Sequence, residues 1–450
     1  MCNSCLIQGA KKICVLLLVL LCSFISVNRS YSQNLYYPPL FGNVWDTLSP
    51  QQLGWCTSEI NSLYNFLDSS DSKAFLVLKD GKIVLEKYFG NFTADSSWYW
   101  ASAGKSLTSL LIGLAQQDGC LSISDSSSLY LGNGWTSCVP AKEGLITVRD
   151  QLKMTTGLND AYSFPDCTDD TCLTYLADAG TRWAYHNAPY TLLDEVLQNA
   201  CGQTLNSYVL QKLSLTTGLT GLYISLGYNN VFFSTARSAA RFGLLILGKG
   251  VWNGNVILSD TAYYQQMLNT SQSYNQAYGY LWWLNGTNTF MLPGSQLVFN
   301  GSLAPSAPPD MYAAIGKNAQ IISIVPSQNL IVIRFGNSPD TSFVPVAFTN
   351  QLWTELNKVI CTSTHQSENS NPTLKVFPNP VKDVATINFP QLSSSSELSV
   401  YDVMGQIILE KTVSSTESSI KLDLNYLPSG IYVVRLVNST YVYQKSILKL

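Results

Sequence analysis

The chain has 450 residues, enough for two or three domains and a sizeable core. Charged residues make up only 12% and the formal net charge is -3, which excludes the clustered basic face that a nucleic-acid partner needs. Only two histidines are present, His186 and His365, far apart in the sequence, so no zinc site is expected and nothing calls for a cofactor.

The first residues read as an export signal over 1–32. Lys11 and Lys12 form a basic end, Ile13 to Val27 is apolar but short for a membrane span, and the small residues Ser30 and Ser32 follow. Cys22 is preceded by Leu21 rather than a small residue, which favours full cleavage over lipid attachment. No later apolar stretch is long enough to anchor the chain in a membrane. The 25 Tyr and 10 Trp fit a β-rich extracytoplasmic protein, or a wide aromatic-lined cleft.

Residues 33–361 read as one α+β unit. Helical periodicity marks Thr57 to Leu67. Ala74 to Lys79 and Lys82 to Tyr88 alternate around Asp80-Gly81, a hairpin signal. Lys105 to Gln117 is a long apolar helix, and further helices fit Thr147 to Met154, Tyr190 to Ala200 and Thr235 to Leu247. Strands return at Tyr278 to Trp283, Met311 to Ile315, Ile321 to Val325 and Leu330 to Phe335, before a closing helix over Val344 to Ile360. Strands first and last, with helices between, imply an α+β sheet completed by both ends of the unit. Residues 362–373 are polar and aperiodic, a linker. Seven short strand-like runs then fill 374–450, which points to a small β-sandwich.

Of the eleven cysteines, seven lie after the signal: Cys56, Cys120, Cys138, Cys167, Cys172, Cys201 and Cys361. Export permits disulfides. Cys167 and Cys172 bracket a short loop, Cys120 and Cys138 would close another, and Cys56 with Cys361 would tie the ends of the unit. The connectivity stays open, and the odd count leaves at least one thiol free or paired elsewhere.

Three stretches carry chemistry. Ser102-Ala103-Gly104-Lys105 opens the long apolar helix. Residues three apart share a helix face, so Lys105 can reach the Ser102 hydroxyl, a poor nucleophile until a base takes its proton. Free backbone N–H groups in the first turn can hold an oxyanion. Ser-x-x-Lys also occurs at Ser70/Lys73, Ser418/Lys421 and Ser446/Lys449, but only Ser102 begins a helix that must be buried; the plainer alternative is a helix cap. Next, Tyr185-His186-Asn187 precedes a helix. Beside the Lys105 ammonium the Tyr185 phenol would fall below its usual value near pH 10 and act as a base, with Asn187 orienting Lys105 or a substrate amide. The alternative is a turn with a packed aromatic. A Ser-His-Asp triad would have to use His186, and no Gly-x-Ser-x-Gly elbow is present. Third, Gly316-Lys317 lies on a late strand, where a glycine admits close approach by another group, unless it is an ordinary strand glycine.

Together and in order, these stretches resemble the serine β-lactamase and penicillin-binding superfamily, nearest its class C branch with the esterase, D-amino-acid peptidase and amide-oligomer hydrolase relatives. The resemblance spans roughly residues 55 to 360. It rests on Trp100 to Ser106, Met154-Thr155-Thr156-Gly157-Leu158, Tyr185-His186-Asn187, Arg241 to Leu245, Tyr278 to Trp283, and Gly316 to Gln320 followed by Pro326. It implies an antiparallel sheet flanked by helices with an all-helical lobe beside it. It also implies that Ser102 forms an acyl-enzyme, that Lys105 and Tyr185 move the proton, and that the N–H groups of Ser102 and Lys317 hold the oxyanion. Gly316-Lys317-Asn318-Ala319-Gln320 is nearer the amide-hydrolase and esterase pattern Gly-x-x-Gly-Gln, with Ala319 in place of a glycine. The tail, with Lys375-Val376-Phe377-Pro378-Asn379-Pro380, Tyr401-Asp402-Val403-Met404-Gly405 and Leu427 to Tyr432, resembles the C-terminal sorting domain of type IX secretion. The resemblances imply a secreted or cell-surface hydrolase of a small ester, amide or short peptide, with the secretion machinery as partner of residues 374–450. The alternative is a non-catalytic cell-wall or peptide-binding protein that keeps the fold.

Overall fold

The computed structural model describes residues 35–450 apart from 43, 162–164, 339, 341, 362–373, 393, 403–404 and 438–441. The signal segment 1–32 and the linker 362–373 therefore lie outside the described residues.

The hairpin forms as its turn chemistry dictates. Asp80 and Gly81 both take positive φ, 53° and 83°, the backbone of a two-residue turn that matches strand twist. It joins β1 (Ser72–Lys79) to β2 (Lys82–Tyr88). Among the later strands, β3 (Ser97–Tyr99), β4 (Gly221–Leu226) and β5 (Asn229–Thr235) form a separate sheet in the order β3-β5-β4. Then come β6 (Trp283–Leu284), β7 (Tyr312–Gly316), β8 (Gln320–Val325) and β9 (Leu330–Gly336). The main sheet is antiparallel in the order β2-β1-β9-β8-β7-β6, so β1 pairs with β9, as expected for a sheet closed by both ends of the unit.

Every residue of β7, β8 and β9 is buried, because helices cover both faces. The six helices that matter here are α1 (Ile60–Ser69), α2 (Gly104–Gln117), α3 (Val148–Lys153), α4 (Asn187–Cys201), α5 (Ala236–Leu247) and α6 (Val346–Ile360). Alternation along β9 sorts the covering helices. Ile331 meets α5 at Gly243, where an added Cβ would come within 2.8 Å of its methyl, while Arg334 points the other way, 4.9 Å from the Phe348 ring of α6. Helices α2, α3 and α4 belong to the helical lobe.

Two expectations change. Tyr278 to Trp283 is not one strand: Trp283–Leu284 joins the main sheet and Tyr278 bridges back onto Trp283, because Leu281 turns back at φ 60° and its N–H donates to the Leu152 carbonyl at 3.1 Å. Lys317 does not lie on a strand either: Gly316 ends β7, and a tight turn over Lys317–Ala319 separates β7 from β8.

Disulfides join Cys56 to Cys361 and Cys167 to Cys172. Cys120 and Cys138 do not pair; both are free, as is Cys201. Cys138 approaches the Leu173 carbonyl, whereas Cys120 follows α2 and acts on Cys201 at the end of α4, whose thiol is pushed up to about 12 by burial and then by Cys120.

The tail is a two-sheet sandwich. One sheet pairs Lys375–Phe377, Val384–Asn388 and Ser419–Asp423; the other orders Ile407–Val413, Ser396–Tyr401, Gly430–Val437 and Val442–Lys449. Ala385, Ile387, Leu398, Val400, Leu422 and Val434 are among the fully buried side chains between them.

Candidate active site

The turn that carries Ser102 is locked from beneath. Trp100 is fully buried, packs on Phe232, Phe242 and Phe335, and donates its indole N–H to Ser234 Oγ at 2.8 Å. Ala101 then takes φ 47°, a left-handed backbone that costs a residue with a Cβ about 1–3 kcal/mol. Ser102 follows, half-buried, in a single 3-10 turn that runs straight into α2.

One turn on, Lys105 Nζ donates to Ser102 Oγ at 3.0 Å. The lysine is 4% exposed. Its Nζ lies 4.0 Å from the Tyr190 ring centre and 5.1 Å from that of Tyr185. Burial disfavours the ammonium and brings Lys105 down to about 7, against the pull of the Asp166 and Asp194 charges.

Tyr185 reaches the same place from the loop before α4. Backbone bonds from Ala184 N–H to the Met154 carbonyl at 2.9 Å and from Gly180 N–H to the Thr155 carbonyl at 2.8 Å clamp this loop to the Thr-Thr-Gly segment after α3. Its ring stacks on Trp283 at 5.7 Å and meets Tyr278 edge-on at 6.2 Å. The expected lowering of the phenol is not found. Burial raises Tyr185 above its ordinary value, the Ser102 hydroxyl pulls it back only in part, and Lys105 does not offset the burial. The phenol oxygen is buried and makes no hydrogen bond of good geometry, so the Ser102 hydroxyl is its neighbour rather than its partner.

Asn187 starts α4. Its Nδ2 donates to Asp166 Oδ1 at 2.8 Å, leaving Oδ1 buried without a partner. His186 is buried, held down to about 4 by that burial, and its charged neighbours are Asp160, Arg182 and Asp166; its Nδ1 is buried without a hydrogen-bond partner, and no described hydrogen bond links it to Ser102.

Gly316 ends β7 against the back of the Ser102 turn. An added Cβ would stand 2.5 Å from the Trp100 carbonyl oxygen, 2.8 Å from Ala103 N and 2.9 Å from Ser102 N. These are backbone atoms that cannot step aside. Lys317 follows with its side chain exposed. Asn318 and Ala319 both take left-handed φ, 61° and 58°. Arg334 holds that turn, donating Nη1 to the Asn318 and Ala319 carbonyls at 2.7 and 3.1 Å, while Asn318 Nδ2 donates to Tyr99 Oη at 2.6 Å. On its outer side β7 pairs with β6 only at Tyr312 and Ala313.

The structure thus brings Ser102, Lys105 and Tyr185 to one place, with Gly316 directly behind the serine; Asn187 is hydrogen-bonded to Asp166, whose charge acts on Lys105. Sequence reasoning missed Asp166, Tyr190, Asp194 and Arg334. One of these had a signal, a lone charge in an otherwise apolar run: Arg334 in Leu330 to Phe335.

No helix of the described residues is long and apolar enough to cross a membrane. No curated protein matches the chain. Among solved structures, it is similar to a Bacillus anthracis protein named provisionally as a 6-aminohexanoate-dimer hydrolase (16% identity, 72% of this chain and 89% of that one, TM-score 0.55). It is also similar to a Bacteroides dorei protein named provisionally as a β-lactamase (17%, 68% and 99%, 0.53) and to a penicillin-binding protein homologue from Caulobacter crescentus (11%, 71% and 99%, 0.53). At these identities the likeness is one of fold. The Beta-lactamase family matches residues 70–352, and the secretion system C-terminal sorting domain matches residues 375–449. The chain belongs to the Beta-lactamase family and carries a secretion sorting domain behind that unit.

Proposed function

We propose that the protein is an exported serine hydrolase of ester or amide bonds, with Ser102 as nucleophile and Lys105 as its base. The observation that carries this reading is the 3.0 Å contact between Lys105 Nζ and Ser102 Oγ, in surroundings that hold the lysine near neutrality. A neutral amine takes the Ser102 proton as Oγ bonds to the substrate carbonyl carbon. The carbonyl oxygen becomes an oxyanion facing the N–H groups of Ser102 and Lys317. The Tyr185 phenol, kept protonated by burial, hands its proton to the departing alkoxide or amine and is refilled from the Lys105 ammonium. Water then releases the acyl group by the same route in reverse. The free Oδ1 of Asn187 accepts an N–H from the substrate. A small amide, ester or short peptide fits this machinery, and one similar structure is named provisionally as a 6-aminohexanoate-dimer hydrolase.

The test is labelling with a fluorophosphonate, repeated on Ser102→Ala. Wild-type protein is expected to label and the variant not at all. Folded wild-type protein that stays unlabelled would favour the non-catalytic cell-wall or peptide-binding reading. Gly316→Ala should cut the labelling rate about 100-fold or more, since a shift of about 1 Å in the Ser102 turn has that effect; a rate within threefold of wild type would show that the strand end does not hold the turn. For the chain as a whole we read residues 1–32 as a signal peptide, 33–361 as the hydrolase unit, 362–373 as a linker and 374–450 as the part presented to the secretion machinery, which places the mature protein outside the cell or on its surface.

A further inference from the structure

Helices α2 and α4 meet along matched faces. Lys105 and Thr108 share one face of α2, and Tyr190 and Asp194 share one face of α4. Lys105 Nζ sits on Tyr190, 4.0 Å from its ring centre, and Thr108 Oγ1 donates to Asp194 Oδ1 at 3.5 Å. The lysine contact and the carboxylate contact are therefore successive rungs between the same two helices.

Asp194 is 1% exposed. Asn230 Nδ2 of β5 donates to its Oδ2 at 3.2 Å, and Thr108 Oγ1 lies 3.4 Å from the Tyr223 hydroxyl of β4. Among the described ion pairs it takes part in none. Burial pushes its carboxyl up to about 7, while the Asn230 and Thr108 hydrogen bonds and the Lys105 charge favour the carboxylate, so near neutral pH it loses its proton most readily when Lys105 is the ammonium. A leucine or asparagine would fill the space at lower cost. Its electrostatic influence falls on Lys105, which it favours as the ammonium, and on the Tyr190 and Tyr223 phenols. The other groups facing Lys105 are Ser102, Tyr185 and Tyr190, neutral here, and Asp166 from the loop before α4.

We propose that Asp194 is a positioning residue for the Ser102–Lys105 pair: held by Thr108 and Asn230 behind the Lys105–Tyr190 rung, its carboxylate supplies the counter-charge for the ammonium formed when Lys105 takes the serine proton. The inference rests on the hydrolase reading for its role in turnover, but the effect on Lys105 is measurable without turnover.

The experiment compares wild type with Asp194→Asn, which keeps the shape, and with Thr108→Val, which removes a donor to the carboxylate and guards against a misfolded first variant. The Lys105 titration is followed by NMR of ε-carbon-labelled lysine in a Ser102→Ala background, and the acid limb of kcat/KM is followed in active protein. In Asp194→Asn both should move down by about one pH unit, with kcat on the plateau reduced about tenfold and KM unchanged; Thr108→Val should move them the same way by less. A Lys105 titration that stays at its wild-type position in both folded variants overturns the proposal whatever the turnover. A titration that moves in protein that never reacts with fluorophosphonate upholds the counter-charge and sinks the hydrolase reading instead.

Discussion

Lys105→Met is expected to lose about 100- to 10,000-fold in kcat/KM and at the same time to melt at a higher temperature than wild type. The first effect follows from removing the amine that bonds to Ser102 Oγ. The second follows from linkage. An unfolded lysine titrates near pH 10.4, whereas the folded Lys105 titrates at about 7. The unfolded chain therefore binds more protons between these values, and wild-type stability rises with pH across that window. Below about pH 7 the folded state carries the whole penalty of the buried amine, on the order of a few kcal/mol. Methionine fills a similar volume without it. Thermal melts at pH 6.5, 8 and 10 should show the variant's advantage shrinking as pH rises, while the wild-type kcat/KM falls off below about pH 7 as Lys105 takes up its proton. A variant no more stable than wild type at pH 6.5 would mean that the lysine is hydrated and charged in the fold, and the base assignment would go with it.

The double substitution Cys56→Ser/Cys361→Ser should lower stability by about 2–5 kcal/mol. This bridge spans 305 residues, so it restricts the unfolded chain far more than the bridge between Cys167 and Cys172, separated by five. Urea melts of both proteins, with and without reductant, check this. Reductant should lower wild type nearly to the level of the double variant and shift the variant only slightly. Equal shifts in the two would show that the short loop bridge matters as much as the long one.

The frame was readable where local chemistry and burial agree. Asp80-Gly81 has one backbone that joins two adjacent strands, and the unbroken apolar runs at 321–325 and 330–335 belong to strands covered on both faces. The strands β4 and β5 were not readable, because Leu222, Ile224 and Leu226 face outward on β4 and so erase the alternation that marks a half-buried strand. Ser102, Lys105 and Tyr185 were legible as a set through residue order. Their electrostatics were not. Whether a lysine or a tyrosine is the readier base depends on how much water each retains, and that is decided by Trp283, Tyr278 and Tyr190 packing around them. That Cys120 lies beside Cys201 rather than Cys138 was likewise hidden, since α2 and α4 bring their far ends together across about 80 residues of chain, whereas Cys138 is nearer in sequence.

The stitched ends of the front unit have a consequence for how such a protein is assembled from parts. With the Cα atoms of Cys56 and Cys361 only 5.6 Å apart, whatever follows residue 361 hangs from a closed loop of polypeptide rather than from a free strand. Trimming or swapping the cargo label behind it leaves the loop shut, so the β-lactamase-family unit and its address tag are separable pieces of one chain.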